Sequence, residues 1–219
     1  MSEEPYTPPP NPGRFVVQSM LRLRGALLKL VDVVTPPELT VIEHTLAVTR
    51  TQMVHVAAKL KIADHLENGP LSAHELALRT GANTDALERT LRALVQLGVF
   101  RRERDARFAN NRVSRALRTN APGGPAFAEY FGSPYHAHAW AELSHTVMTG
   151  KSAFEHVHGV SFWDYCDKHP EHGAVFGVAM SKSTELEAPG VASAYPFRDI
   201  KKVCDVAGGN GMLLSEILV

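Results

Sequence analysis

The chain has 219 residues, 44% of them hydrophobic, and its 23 lysines and arginines are matched by 23 aspartates and glutamates, for a formal net charge of zero. A chain of this size and apolar content can bury a sizeable core in one or two domains. No apolar run approaches the roughly 18 to 20 residues a membrane helix needs, and the opening MSEEPYTPPPNPG is acidic and proline-rich where an export signal is basic and then apolar. Cys166 and Cys204 are the only cysteines, so no disulfide framework is expected. The expected setting is the reducing cytoplasm, with no membrane partner.

Residues 1–13 hold five of the fourteen prolines and are expected to form a disordered or extended arm. From Phe15 onward the spacing of Val16, Met20, Leu23, Leu27, Leu30, Val31 and Val34 predicts a helix that Thr35-Pro36-Pro37 stops. A second helical stretch is predicted over Leu39 to Leu66. Its apolar positions are too many for one narrow stripe, which implies burial on several sides or pairing with another chain. Ser72-x-x-Glu75 is a capping box opening a short helix that runs through Thr80 to a stop at Gly81. Thr84 is expected to cap the next helix, whose Leu87, Leu91, Leu94, Val95 and Leu97 line one face. Val99 to Arg102 and Arg107 to Ala109, joined by a charged turn, read as a hairpin. Helix, turn, helix and hairpin in this order make a winged helix, so residues 14–120 are expected as N-terminal helices plus a winged-helix domain.

The charge is unevenly placed. Between Arg101 and Arg118 seven arginines face only Glu103 and Asp105, a local excess of +5. On charge alone this favours DNA binding, since phosphate neutralisation supplies most nonspecific affinity. Against it, the helix that would enter a groove carries Asp85 and Glu88 beside Arg89 and Arg92 and lacks a row of base-reading side chains. A solvated charged face on a structural module is the ordinary alternative, and nucleic acid is not an expected partner.

After a helical bridge expected over residues 121–199, the last segment, 200–219, reads KKVCDVAGGNGMLLSEILV from Lys201. Val203 to Val206 is expected as a buried parallel strand, with Cys204 inside it and Asp205 near its end. Gly208, Gly209 and Gly211 then mark a sharp reversal into a helix carrying Met212, Leu213, Leu214, Ile217 and Leu218. This is the first βα unit of a Rossmann-like sheet, in which ligands sit beyond the carboxyl ends of the strands. No phasing of the three glycines meets the dinucleotide pattern G-x-G-x-x-G. A structural turn without a ligand stays open at this point.

Asp205 to Gly211 spells D-x-A-x-G-x-G, which resembles the D-x-G-x-G-x-G motif of S-adenosylmethionine-dependent methyltransferases, with Ala207 in place of the first glycine. The AAKL-IAD run at Ala57 to Asp64, the GP-x-SAxELA run at Gly69 to Ala77 and the R-x-LRAL-x-x-LGVF run at Arg89 to Phe100 resemble the N-terminal dimerisation domain of the plant-caffeate and bacterial-polyketide type of O-methyltransferase. Phe162-Trp163-Asp164-Tyr165, His169-Pro170-Glu171 and Phe176-x-x-x-Met180 resemble that family's bridging helices. The resemblance implies a mainly α chain: a winged-helix dimerisation domain and helical bridge, followed by only the first βα unit of a Rossmann-like methyltransferase domain. It implies S-adenosyl-L-methionine as cofactor, with Asp205, Gly208, Gly209, Gly211 and Ser183 contacting it. It further implies a small-molecule hydroxyl acceptor walled by Phe162, Trp163, Phe176 and Met180, and homodimerisation through the N-terminal domain. Core packing at helical spacing is the competing reading of those four side chains.

The family's histidine base and its ribose-binding acid fall at positions after Val219, so none of the eleven histidines is assigned a catalytic role. The chain is expected to be a C-terminally truncated portion, inactive alone. A catalytically dead regulatory homologue and a winged-helix DNA binder are the alternatives. His136-x-His138 and His156-x-His158 diverge on a helix and have no completing ligands, so no metal site is expected.

Overall fold

The computed structural model describes residues 14–121 and 123–218; the proline-rich arm expected at residues 1–13 lies outside the described residues. The described chain is mainly helical, with one two-stranded sheet among the described residues. It divides into two compact units, one of residues up to Val48 together with those from Ser183 onward, the other of Thr49–Lys182.

Helix α1 spans Arg14–Val34 and α2 spans Pro37–Thr45, separated by Thr35 and Pro36 as the proline signal requires. Where one helix is expected over Leu39 to Leu66 the structure has three: α2, α3 (Ala47–Lys59) and α4 (Ile62–His65). The second break falls at Lys61, which takes a left-handed backbone at φ 50°. That conformation costs a non-glycine residue about 1–2 kcal/mol. The bend offsets it by turning Ile62 and Ala63 fully into the core, where burying one large aliphatic side chain is worth roughly 1.5–3 kcal/mol.

Helices α5 (Ala73–Thr80) and α6 (Thr84–Gln96) follow. The capping box forms in both directions: Glu75 N–H donates to Ser72 Oγ at 3.2 Å, and Ser72 N–H donates to Glu75 Oε2 at 2.7 Å. Gly81 closes α5 at φ 72°. Helix α6 is capped by Asn83 and not by Thr84. Asn83 has extended backbone and its Oδ1 accepts from Ala86 N–H at 3.0 Å, whereas Thr84 is already helical and cannot serve as the cap. Strands β1 (Phe100–Arg102) and β2 (Phe108–Asn110) pair antiparallel, with Phe100 opposite Asn110. Leu71 and Phe108 exchange both backbone hydrogen bonds, at 3.0 and 2.7 Å, tying the entry to α5 onto the wing. Ile62, Leu66, Leu76, Leu87, Leu91, Leu94, Phe100 and Phe108 make one continuous core beneath this winged helix.

Beyond it run α7 (Gly124–Phe131), α8 (Pro134–Ala141), α9 (Leu143–Thr149), α10 (Ala153–His158), α11 (Phe162–Lys168) and the long α12 (Pro170–Ala194). Gly150 and Gly159 end α9 and α10 at φ 71° each. Gln52 donates to Gly132 O at 3.2 Å, and His55 Nδ1 donates to Ala128 O at 3.0 Å, joining α3 to the end of α7. A Cβ at Gly132 would overlap the His55 ring, so glycine is required by that close approach.

The strand expected at Val203 to Val206 is not formed: these residues are irregular, Val206 is 84% exposed, and Cys204 is exposed rather than buried. Strand geometry is held by ladder hydrogen bonds to a neighbour. Among the described residues the only sheet is β1 with β2, and Val203 to Val206 are not part of it. The turn that follows and its helix, α13 (Met212–Leu218), are present.

Candidate functional site

The turn between Asp205 and α13 is built by three left-handed residues, Ala207, Gly209 and Gly211, at φ 59°, 60° and 76°. Alternate residues of positive φ reverse the chain sharply and keep the main chain open to close approach. Ala207 stands where the resembling motif has glycine, and it takes the conformation glycine would take there. Gly208 serves a different purpose: a Cβ on it would overlap the Asp205 carboxylate, which lies over this position. Asp205 Oδ2 is buried there without a hydrogen-bond partner. Gly211 N–H donates to Gly208 O at 2.9 Å, and Asn210 Oδ1 accepts from Met212 N–H at 3.3 Å, which starts α13. Ser183, expected to contact a cofactor, donates along α12 to Glu187 Oε1 at 3.0 Å.

In the other unit the structure brings Phe162, Trp163 and Phe176 together. Their ring centroids lie 5.2 Å (Phe162–Trp163), 4.9 Å (Phe162–Phe176) and 5.8 Å (Trp163–Phe176) apart, all edge to face. Met180 packs on the same cluster one helical turn beyond Phe176. Trp163 is 66% exposed, so the cluster has an open aromatic face as well as a packed one. Tyr165 on α11, quoted with Phe162 and Trp163 in the bridging-helix run, joins the cluster, and sequence reasoning missed the other residues that complete it: Tyr130 on α7, Tyr135 on α8 and Phe154 on α10. The signal was present as FAEYF and SPYH, but four short helices had to be folded together before those rings could meet. Burial pushes the Tyr130 phenol up to about 12 and raises those of Tyr135 and Tyr165. These phenols therefore remain protonated donors at neutral pH.

Three of the four paired histidines of the sequence, His136, His156 and His158, are engaged in packing, and His138 is exposed. His136 Nε2 accepts from Trp140 Nε1 at 2.7 Å, and burial holds its pKa below the usual value, consistent with a neutral acceptor. His158 Nε2 donates to Tyr135 O at 2.9 Å, and His156 stacks on His145 at 3.9 Å between centroids. A cluster not foreseen is His169, Glu171 and His172, whose ligand atoms all lie within 4.8 Å of one another at the start of α12 and could hold a metal ion. On the wing, Arg101, Arg102, Arg107 and Arg118 face Glu103, Glu88, Asp105 and Glu67 respectively. Glu103 and Asp105 belong to the arginine-rich segment itself, while Glu88 and Glu67 come from outside it and answer two of its five excess positive charges.

A winged helix, an aromatic helical layer and a glycine-rich turn, in that order, define a class of small-molecule methyltransferase architecture. Comparison with known proteins agrees: the O-methyltransferase dimerisation domain matches residues 42–120 and the O-methyltransferase domain matches residues 140–219. The chain belongs to this O-methyltransferase family. It is 38% identical to a phenazine O-methyltransferase of Lysobacter antibioticus over 77% of this chain and 49% of that protein. The crystal structure of LaPhzM superposes with a TM-score of 0.79 at 36% identity, over 84% of this chain and 55% of the other. An O-methyltransferase of neocarzinostatin biosynthesis, solved with S-adenosylmethionine and 2-hydroxy-5-methyl naphthoic acid, matches at 34% identity and a TM-score of 0.63, over 77% and 53%. The chain spans about half the length of the curated relatives it matches.

Proposed function

We propose that the chain is part of an S-adenosylmethionine-dependent O-methyltransferase that methylates a hydroxyl of a small aromatic or polyketide-type acceptor. The observation that carries this reading is the turn Asp205–Gly211, whose left-handed positions fall on the motif's glycines and one of whose Asp205 carboxylate oxygens, Oδ2, is buried without a donor. These residues fit the cofactor: an orphaned carboxylate oxygen needs a donor such as an ammonium group, and a backbone free of Cβ atoms at Gly209 and Gly211 admits a ligand closely. The neocarzinostatin enzyme, solved with this cofactor and a naphthoic acid, supports the same assignment. When bound, S-adenosylmethionine supplies an activated methyl group for in-line transfer to oxygen.

Asp205, Gly208, Gly209 and Gly211 would hold the cofactor, with Ser183 as a further contact. Phe162, Trp163, Phe176 and Met180 would hold the acceptor ring, exclude water and orient the attacking oxygen. Positioning of that kind is worth up to about 7–11 kcal/mol of barrier in well-aligned reactions. No general base is assigned among the eleven histidines, so the chain by itself is expected to bind without turning over. Residues 14–120 form the self-association domain in this reading, 121–199 the helical bridge and 200–219 the opening βα unit of a Rossmann-like cofactor domain. The protein acts as a cytoplasmic homodimer. Isothermal titration with S-adenosylmethionine tests the cofactor assignment: saturable heat is expected, and its loss in a folded Gly209→Val variant. A chain that is folded by circular dichroism and gives no heat overturns it.

A further inference from the structure

The corner between α11 and α12 carries three ligand-bearing side chains that the methyltransferase reading does not use. His169 is the single residue between the two helices, and Glu171 and His172 lie in the first turn of α12. His169 Nδ1 stands 3.8 Å and His172 Nε2 4.0 Å from Glu171 Oε1, and one ligand atom from each residue falls within 4.8 Å of the others. Both separations are too long for hydrogen bonds, so the groups converge without satisfying one another. A tetrahedral ion with ligands at about 2.0–2.2 Å holds its donor atoms about 3.3–3.6 Å apart. Small rotations of the exposed His169 and Glu171 side chains supply the difference.

The histidine rings are held in place from the other side. His172 stacks on Tyr135 and His169 packs on Tyr165, each at 4.4 Å between centroids. Tyr165 Oη lies 3.2 Å from His172 Nδ1. With Nδ1–H donating to that oxygen, the free lone pair falls to Nε2, the nitrogen nearest Glu171. The backbone of the corner is fixed as well, since His169 O accepts from His172 N–H at 3.0 Å and from Gly173 N–H at 3.2 Å. Two imidazoles and a carboxylate suit zinc, whereas magnesium and calcium take oxygen donors. We propose that His169, Glu171 and His172, the last oriented by Tyr165, form a zinc site that fastens α11 to α12. Phe162 and Trp163 lie on one helix of this corner, Phe176 and Met180 on the other. An ion there would stiffen the wall assigned above to the acceptor, and that consequence alone rests on the methyltransferase reading.

The test is calorimetric titration of the whole chain, without an affinity tag, with zinc chloride, and with magnesium chloride as the parallel probe. One zinc ion per chain is expected at saturation, with no saturable magnesium heat. His169→Gln and Glu171→Gln, both at exposed side chains, should each weaken zinc at least tenfold with circular dichroism unchanged. Tyr165→Phe keeps the ring but removes the hydroxyl that orients His172, and should weaken zinc roughly tenfold. His138→Gln, at an exposed histidine outside the cluster, should leave binding as it is. Absence of saturable zinc heat, an equal response to magnesium, an unaffected His169→Gln, Glu171→Gln or Tyr165→Phe variant, or loss of binding in His138→Gln would each overturn the proposal. None of these readouts involves S-adenosylmethionine, so failure here leaves the cofactor assignment standing.

Discussion

Ala207 places a methyl group on a backbone at φ 59°, a conformation that costs an alanine about 1 kcal/mol relative to glycine. Ala207→Gly should therefore leave stability unchanged or raise it by up to about 1 kcal/mol, where an ordinary alanine-to-glycine change lowers it by roughly as much; urea unfolding decides between the two. Gly208→Ala should do the reverse, because its Cβ would displace the Asp205 carboxylate, and S-adenosylmethionine affinity measured by calorimetry should fall with it. His136 gives a pH prediction. Burial lowers its pKa from the ordinary 6.5, so just below that value the unfolded chain binds the proton and the folded chain does not. Its contribution is full above 6.5 and is lost as pH falls from 6.5 toward the folded value. Urea midpoints on either side of that pH should show the loss, and His136→Gln, which keeps an acceptor for Trp140, should abolish it. The glycine spacing and the positions of Phe162, Trp163, Phe176 and Met180 were legible in the sequence because they are local patterns. The orphaned Asp205 oxygen was not, since it depends on which atoms fail to find partners after folding.

The capping box and the core of the winged helix are worth testing as elements. Ser72→Ala removes the acceptor for Glu75 N–H and should cost about 1 kcal/mol in denaturant unfolding. The backbone N–H of Ser72, followed by its hydroxyl, holds the Glu75 carboxyl below its usual 4.5, so this stabilisation is present above that value and fades on further acidification. Leu91→Ala, at a fully buried position on α6, should cost about 2–5 kcal/mol because the packed core cannot close the space. Elements with chemical punctuation were readable: Ser72, Glu75 and Gly81 bound α5, and Gly98 ends the approach to β1. The break at Lys61 was not readable, because no glycine or proline marks it and only the gain from burying Ile62 favours it. The segment at Val203 to Val206 was read from its own apolar residues, but a strand is a property of a pair, and no second strand lies beside it among the described residues.

For the whole molecule the question is what α1 packs against. Met20, Leu23, Leu27, Leu30 and Val31 are each more than half exposed, and a soluble chain rarely leaves so long a row of large apolar side chains to water. Each leucine covered is worth roughly 1.5–3 kcal/mol, so joining two such rows supplies a strong drive to association. In the homodimer proposed above, a two-fold arrangement would present the same face from each copy, allowing one helix row to be self-complementary. Light scattering of the chain should therefore give the mass of a dimer. Leu23→Glu combined with Leu27→Glu should give a monomer with unchanged far-ultraviolet circular dichroism, since neither side chain belongs to the buried core. A double variant that stays dimeric would move the interface away from α1, and a monomeric parent chain would remove the self-association reading altogether. Neither outcome touches the cofactor assignment, which rests on Asp205 to Gly211 and is read by calorimetry.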